Sequence, residues 1–117
     1  MTKGTLIAWL LATVVFADEG RVYHPITIAE FPKKVHTHVC TTGTIALVKG
    51  EADGDLHIRV EDGKAFIVAE AIPKLQPEWE RPPHKGEVWT LCGITRFDKR
   101  HGWWEIHPIE HGHRRLK

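Results

Sequence analysis

The sequence predicts an all-β protein folded as a small five-stranded barrel. Five segments alternate apolar and polar residues or are rich in β-branched residues, and turn-forming Gly, Pro and Asp residues separate them. No segment has the apolar spacing of a three-turn helix. The 117 residues leave room for one domain and one modest core.

The first three predicted strands lie in the N-terminal part of the barrel. The segment VHTHVCTTGTIALVKG (35–50) alternates and is rich in β-branched residues, so it predicts a long first strand in which Gly43 indicates a bend. Residues 56–60 alternate apolar and polar side chains, and Asp62-Gly63 is a tight-turn pair. Residues 66–71 then return as a mostly apolar strand, which completes a predicted hairpin.

The last two predicted strands follow a proline-rich connector. Residues 72–87 carry four of the seven prolines, which leaves room for at most one helical turn. The segment VWTLCGITRFD (88–98) predicts a fourth strand, and WWEIHPI (103–109) predicts a fifth that ends at its proline. This is the layout of an OB-like Greek-key barrel. We expect its first strand to pair with the second and fourth, and its fifth to pair back on the first.

We place the barrel at residues 35–110. Further segments are predicted on both sides of it. Residues 1–17 combine a lysine, an apolar run and a small-x-small pattern ending at Ala17, which is typical of a secretory signal peptide. The alternative is an uncleaved N-terminal anchor. Residues 18–34 are expected to be a leader, and residues 111–117 a polar tail. The protein is therefore predicted to be periplasmic or secreted, without a membrane span after cleavage.

Two cysteines, Cys40 and Cys92, remain after the predicted cleavage. An even cysteine count in an exported protein favours a disulfide, while the alternative is two buried free thiols. Cys40 lies in the first predicted strand and Cys92 in the fourth, and these strands pair in an OB-like barrel. The disulfide and the fold predictions therefore support each other.

The balanced charge of the predicted mature chain disfavours a nucleic-acid partner. The chain has 16 basic residues, and removal of Lys3 with the signal peptide leaves 15, against 15 acidic residues. Proteins that bind polyanions usually carry a basic excess. Trp79, Trp89 and Trp103 are nevertheless candidate platforms on which the bases of a single strand could stack.

The segment WWEIHP carries the sharpest candidate site. Neighbouring side chains on a strand point to opposite faces, so Trp104 and Ile106 are expected to face the core. Trp103, Glu105 and His107 are then expected to form a partly exposed outer strip.

The second predicted strand repeats this acid-x-His pattern with Asp55 and His57, next to Arg59. Carboxylates and imidazoles together bind divalent metals or act as acid–base pairs. Asp55, His57, Glu105 and His107 are therefore candidate ligands for a divalent metal cofactor. The alternative is that each pair is an ion pair or hydrogen bond on the polar face of a half-buried sheet.

The segment TGTIALVKGEADGDLHIRV (42–60) resembles the start of the staphylococcal-nuclease family, which is itself an OB fold. The resemblance implies that Asp55 occupies the place of an aspartate that helps to bind calcium. The family's arginine in the next strand and its Asp-Thr-Pro-Glu stretch have no counterpart in FIVAEAIPKL (66–75), so its catalytic set is missing. The late Glu-x-His-Pro is similar to that of small exported bacterial OB-like proteins of unassigned function.

These observations predict an exported, non-enzymatic OB-fold binding or interaction module. Its ligand could be an oligosaccharide, a peptide, a protein or a single-stranded nucleic acid, and the ligand-binding candidates are Trp103, Glu105, His107, Asp55, His57 and Arg59. The chain contains no serine, which excludes a Ser-His-Asp hydrolase. A divergent nuclease-like metal-dependent hydrolase and a periplasmic metal-binding protein are the alternatives.

Overall fold

The computed structural model describes residues 16–18 and 20–116. Apart from two short 3₁₀ helices, Ile28–Lys33 and Pro77–Glu80, its regular structure consists of strands. The strands are β1 Phe16–Asp18, β2 Arg21–Pro25, β3 His38–Gly50, β4 Leu56–Asp62, β5 Ala65–Ala71, β6 Val88–Asp98 and β7 Trp103–Arg115. The all-β prediction is therefore confirmed.

Strands β3 to β7 close into a five-stranded barrel. β3 pairs antiparallel with β4 and β6, β4 pairs antiparallel with β5, and β7 lies between β5 and β6. The β5–β7 pair is parallel and short, with Val68 opposite Glu105. The predicted OB-like barrel is confirmed, but the expected pairing of the fifth strand with the first is wrong. β7 follows β6 through a four-residue turn, so its free edge meets β5 instead.

The last strand does not end at its proline. β7 continues through Pro108 to Arg115 and pairs with β6 along this length. Proline has no backbone N–H to donate, and within sheets it is confined to edges and irregularities. The register between β6 and β7 shifts around Gly93, which pairs with Ile109 next to the proline, and this irregularity allows the strand to continue. Residues 111–115 of the expected polar tail therefore belong to the sheet.

The barrel interior is filled by apolar side chains from every barrel strand, including Val39, Ile58, Ile67, Leu91 and Ile106. Segment 18–34 also contributes to this core. Ile28 and Phe31 of the first 3₁₀ helix are buried in it, and that helix contacts β3, β4 and β5. The segment expected to be a leader thus covers part of the barrel in this structure.

A disulfide joins Cys40 of β3 to Cys92 of β6, as predicted. The two residues are directly opposite each other in the antiparallel register. Tyr23 of β2 is buried against them, and its hydroxyl donates a hydrogen bond to Glu110 Oε1 at 2.9 Å. The N-terminal segment therefore covers the disulfide on the outside of the barrel.

The predicted signal peptide lies largely outside the described residues. The predicted cleavage point, between Ala17 and Asp18, falls within β1. In the part of the chain that the structure describes, no helix is long and apolar enough to cross a membrane.

Candidate functional site

The two faces of β7 differ as the alternation predicts. Ile106 is fully buried in the barrel core, and Trp104 packs against that core. On the opposite face, the indole N–H of Trp103 donates a hydrogen bond to Glu105 Oε2 at 2.8 Å. The expected exposure is wrong for Glu105, which is only 1% exposed because Trp103 and the guanidinium of Arg96 lie against it. The outer strip is therefore open to solvent only at Trp103 and His107.

The carboxylate of Glu105 is incompletely satisfied in its buried position. Glu105 Oε1 lies 3.4 Å from Arg96 Nη2, but it has no hydrogen-bond partner among the described residues. Burial raises the pKa of Glu105; the Trp103 hydrogen bond opposes this shift and the nearby carboxylate of Asp98 adds to it. The fold thus holds an acidic group where its charged form is poorly solvated.

Glu70 joins the two histidines that the acid-x-His pattern singled out. His57 Nε2 lies 3.4 Å from Glu70 Oε2, and His107 Nε2 lies 2.9 Å from Glu70 Oε1. The three residues come from the adjacent strands β4, β5 and β7, and His57 is the register partner of Glu70. Glu70 was not among the predicted site residues. The only signal for it was one acid in the otherwise apolar segment FIVAEA.

A second cluster forms where β6 turns into β7. His101 Nδ1 is 2.7 Å from Asp98 Oδ2, and the backbone N–H of Arg100 donates to Asp98 Oδ1 at 2.9 Å. The hydrogen bond to His101, with the backbone donors of the turn, lowers the pKa of Asp98 to about 2. The His101 ring stacks on Trp103 with centroids 4.4 Å apart and meets His57 edge-on at 6.3 Å.

His57, His101 and Trp103 line a cleft of about 220 Å³ on the outside of the barrel, which we call the outer cleft. It lies across β3, β4, β5 and β7, between the β3–β4 loop and the β6–β7 turn. Its lining residues are Leu47, Lys49, Glu51, His57, Arg59, Val68, His101 and Trp103. The predicted candidates Trp103, His57 and Arg59 therefore meet in one cleft, while Glu105 and His107 lie beside it on β7.

The two cations of the outer cleft each have an acidic neighbour. Arg59 Nε donates to Glu61 Oε2 at 2.9 Å, and the Arg59 guanidinium lies 3.8 Å from the centroid of the Phe66 ring. Lys49 Nζ lies 3.9 Å from Glu51 Oε2 and is largely exposed. The cleft therefore presents polar groups of both signs without a strong net charge.

Three predicted candidates, Asp55, Trp79 and Trp89, do not line the outer cleft. Asp55 is in the β3–β4 loop, where its backbone N–H donates a hydrogen bond to Asp53 Oδ1 at 2.9 Å and so stabilises the turn. Trp79, a candidate stacking platform, is 3% exposed and belongs to the barrel core, so that expectation is wrong. Trp89 packs against the same core and donates its indole N–H to Glu87 Oε1.

A larger cleft of about 500 Å³ lies near the disulfide, lined among others by Thr41, Thr42 and Thr90. None of the predicted ligand-binding residues lines it, and its described lining includes no Trp, Tyr or Phe. Ligand sites in proteins usually combine apolar or aromatic side chains with a few placed polar groups. The outer cleft has this composition, so it is the candidate site.

Replacement of the two adjacent tryptophans by alanine tests their different positions. Trp104→Ala is expected to lower the free energy of unfolding by about 3 kcal/mol, because it opens a cavity beside the core and removes the contact with Phe97. Trp103→Ala is expected to cost about 1 to 2 kcal/mol, because it leaves the buried Glu105 without its indole donor. Urea unfolding of both variants measures the difference. A larger loss for Trp103→Ala would contradict the assignment of faces on β7.

Comparisons with known proteins identify the fold. No protein-family model matches the chain, and no curated protein is significantly similar to it. Similar solved structures include asparaginyl-tRNA synthetase from Pyrococcus horikoshii, with a TM-score of 0.66 and 16% identity over 76% of this chain and 22% of that chain. An OBody bound to hen egg-white lysozyme has a TM-score of 0.64 and 21% identity over 79% of this chain and 91% of the other.

A third structure, the Stn1–Ten1 complex of S. pombe, has a TM-score of 0.57 and 13% identity over 68% of this chain and 59% of that chain. The match to the asparaginyl-tRNA synthetase covers only 22% of that protein's length. The resemblance to the staphylococcal-nuclease family is not shown by these comparisons. The closed five-stranded barrel and its structural neighbours together show that this chain has the OB fold.

Proposed function

We propose that this protein is an exported, non-enzymatic binding module that holds its ligand in the outer cleft. The position of the cleft carries the proposal. OB folds bind oligonucleotides and oligosaccharides on the face of their second and third strands, between the loop joining strands one and two and the loop joining strands four and five. In this chain that face is β4–β5, and the two loops are residues 51–55 and 99–102.

The balance of charge in the outer cleft favours a neutral oligosaccharide as the ligand. Trp103 offers an aromatic surface against which the apolar face of a sugar ring can pack. The ion pairs of Arg59 and Lys49 offer donors and acceptors to hydroxyl groups, but little net attraction for a polyanion. A cleft of about 220 Å³ has room for about one sugar ring, so a longer chain would extend along the barrel surface.

Export is supported by the disulfide. Disulfides persist in oxidising compartments and are rare in the reducing cytosol. The signal-peptide pattern of residues 1–17 also supports export.

A single-stranded nucleic acid is the second candidate ligand. One structural neighbour is a tRNA synthetase, and Lys49, Arg59 and Trp103 are the residue types that contact phosphates and bases in OB folds. Binding of this kind weakens steeply as the salt concentration rises, because neutralised phosphates release counterions. Salt dependence therefore separates the two candidates.

Titration followed by ¹⁵N NMR tests the proposed function with a chitin oligosaccharide and with an oligothymidylate of about 12 nucleotides, within the site size of OB folds. We expect the oligosaccharide to shift signals of the outer cleft, with an affinity that changes little with salt. Trp103→Ala and Arg59→Ala should each weaken binding by about tenfold or more, which corresponds to about 1.4 kcal/mol.

Arg81→Ala is the matched control, because Arg81 is exposed and lies outside the residues that line the outer cleft. Strong, salt-sensitive binding of the oligothymidylate alone would replace the first ligand by the second. If neither probe shifts outer-cleft signals, or if Arg81→Ala weakens binding as much as Arg59→Ala, the assignment of the outer cleft as the site is wrong.

A further inference from the structure

Asp98, His101 and Glu105 bring three potential metal ligands together at one end of the outer cleft. Asp98 ends β6, His101 lies in the turn, and Glu105 is the third residue of β7. One ligand atom from each lies within 4.8 Å of the other two. The sequence analysis selected only Glu105 of these three. Asp98 and His101 come close to Glu105 only because the β6–β7 turn folds them back onto β7.

An independent observation at the same place points to a bound cation. The side chain of Glu105 is almost fully buried, and its Oε1 has no hydrogen-bond partner among the described residues. Buried polar atoms without partners are rare in native proteins, and a bound ion is one established explanation for them. Arg96 is the nearest positive group at 3.4 Å, but its side chain is 44% exposed and makes no hydrogen bond to this oxygen.

We propose that Asp98, His101 and Glu105 form a binding site for a divalent cation, and that zinc is the cation that fits it. One imidazole nitrogen and two carboxylate oxygens are ligands that zinc accepts at about 2.0–2.2 Å. Three protein ligands leave a coordination position open for water or for a ligand group. This site goes beyond the proposed binding function and does not depend on the identity of the outer-cleft ligand.

The surroundings of the three side chains already orient them. The Trp103 indole holds Glu105 Oε2, which leaves Oε1 for the cation, and the backbone N–H of Arg100 holds Asp98 Oδ1. Hydrogen bonds of this kind to ligand side chains are typical of metal sites. To bind one ion, the 2.7 Å hydrogen bond between His101 Nδ1 and Asp98 Oδ2 must open, which rotation of the partly exposed His101 side chain allows. Ligand atoms that lie up to 4.8 Å apart must also approach one another by about 1 Å.

Arg96 is the group that a cation would have to displace. Its guanidinium lies against Glu105 and repels a second positive charge, but the exposed side chain can turn toward solvent. Removal of this charge should therefore tighten metal binding. A purely structural Arg96–Glu105 ion pair gives no reason for such a gain.

Isothermal titration of the metal-free protein with zinc chloride tests the proposal. We expect about one zinc ion per chain at this site, and Asp98→Asn, His101→Ala and Glu105→Gln should each weaken it by about tenfold or more. Glu105→Gln keeps the shape of the side chain and accepts the Trp103 hydrogen bond, so it should fold, as circular dichroism can verify. Arg96→Gln should bind zinc more tightly than the unmodified protein.

His24→Ala is the matched control, because His24 is an exposed histidine on β2. In the unmodified protein, zinc should also shift the NMR signal of the Trp103 indole N–H, which donates to a ligand carboxylate. The proposal is overturned if no zinc binds. It is also overturned if Glu105→Gln and His101→Ala bind zinc as well as the unmodified protein does while His24→Ala binds less.

Discussion

Reduction of the Cys40–Cys92 disulfide is expected to lower the melting temperature of the protein by roughly 15 to 30 °C. The two cysteines are 52 residues apart in sequence. On the chain-entropy description, a crosslink that closes a loop of this length stabilises the folded state by about 4 kcal/mol, because it restricts the unfolded chain. In a domain of about 100 residues, each kcal/mol corresponds to about 4–8 °C.

The measurement requires the bridge to be opened in the unfolded state. Cys40 and Cys92 are buried under Tyr23, so reductant reaches them slowly in the folded protein. The protein should be reduced in denaturant, refolded with reductant present, and compared with the oxidised form by thermal circular dichroism. The double variant Cys40→Ala/Cys92→Ala is the control and should melt at one temperature with or without reductant. A shift below about 5 °C on reduction would contradict the expected stabilisation.

The barrel could be predicted because its strands follow local patterns, and the disulfide could be predicted because it joins two strands that pair in that barrel. Side chains alternate across a strand, so the apolar residues of each segment mark its inner face before any partner strand is known. Pairing of the first and fourth strands is part of the OB layout, and this placed Cys40 and Cys92 on neighbouring strands. The neighbours of β7 were predicted wrongly, because no pattern within WWEIHPI distinguishes pairing with the first strand from pairing with the third.

The composition of the candidate site was harder to predict, because it depends on which side chains of other strands and turns pack over the outer face of β7. Alternation places Glu105 on that face, but it gives no information on whether the neighbouring Trp103 and Arg96 fold over it. Glu70 meets His57 and His107 through the register of three strands, two of which are far apart in sequence. Closure of the whole barrel brings these three side chains together, so the sequence of any single strand does not predict the cluster.

Replacement of Gly93 by alanine is expected to destabilise the protein by about 3 kcal/mol or more. A Cβ atom at this position would lie 2.3 Å from the backbone oxygen of Pro108 and 2.5 Å from Ile106 Cγ2. Overpacking of a core usually costs about 1 to 3 kcal/mol and sometimes more. The larger value is expected here, because a backbone oxygen cannot rotate away and Ile106 is fully buried.

Gly50→Ala is the matched control for this change, because both glycines lie in barrel strands. A Cβ atom at Gly50 would meet only Leu56 Cδ2, at 4.0 Å, and the substitution should change stability by less than about 1 kcal/mol. Urea unfolding of the two oxidised variants therefore isolates the steric effect from the general effect of removing a glycine. Equal midpoints would mean that β6 and β7 do not approach closely opposite Pro108. The register shift that lets β7 continue past its proline, and so extend the sheet to Arg115, would then be placed wrongly.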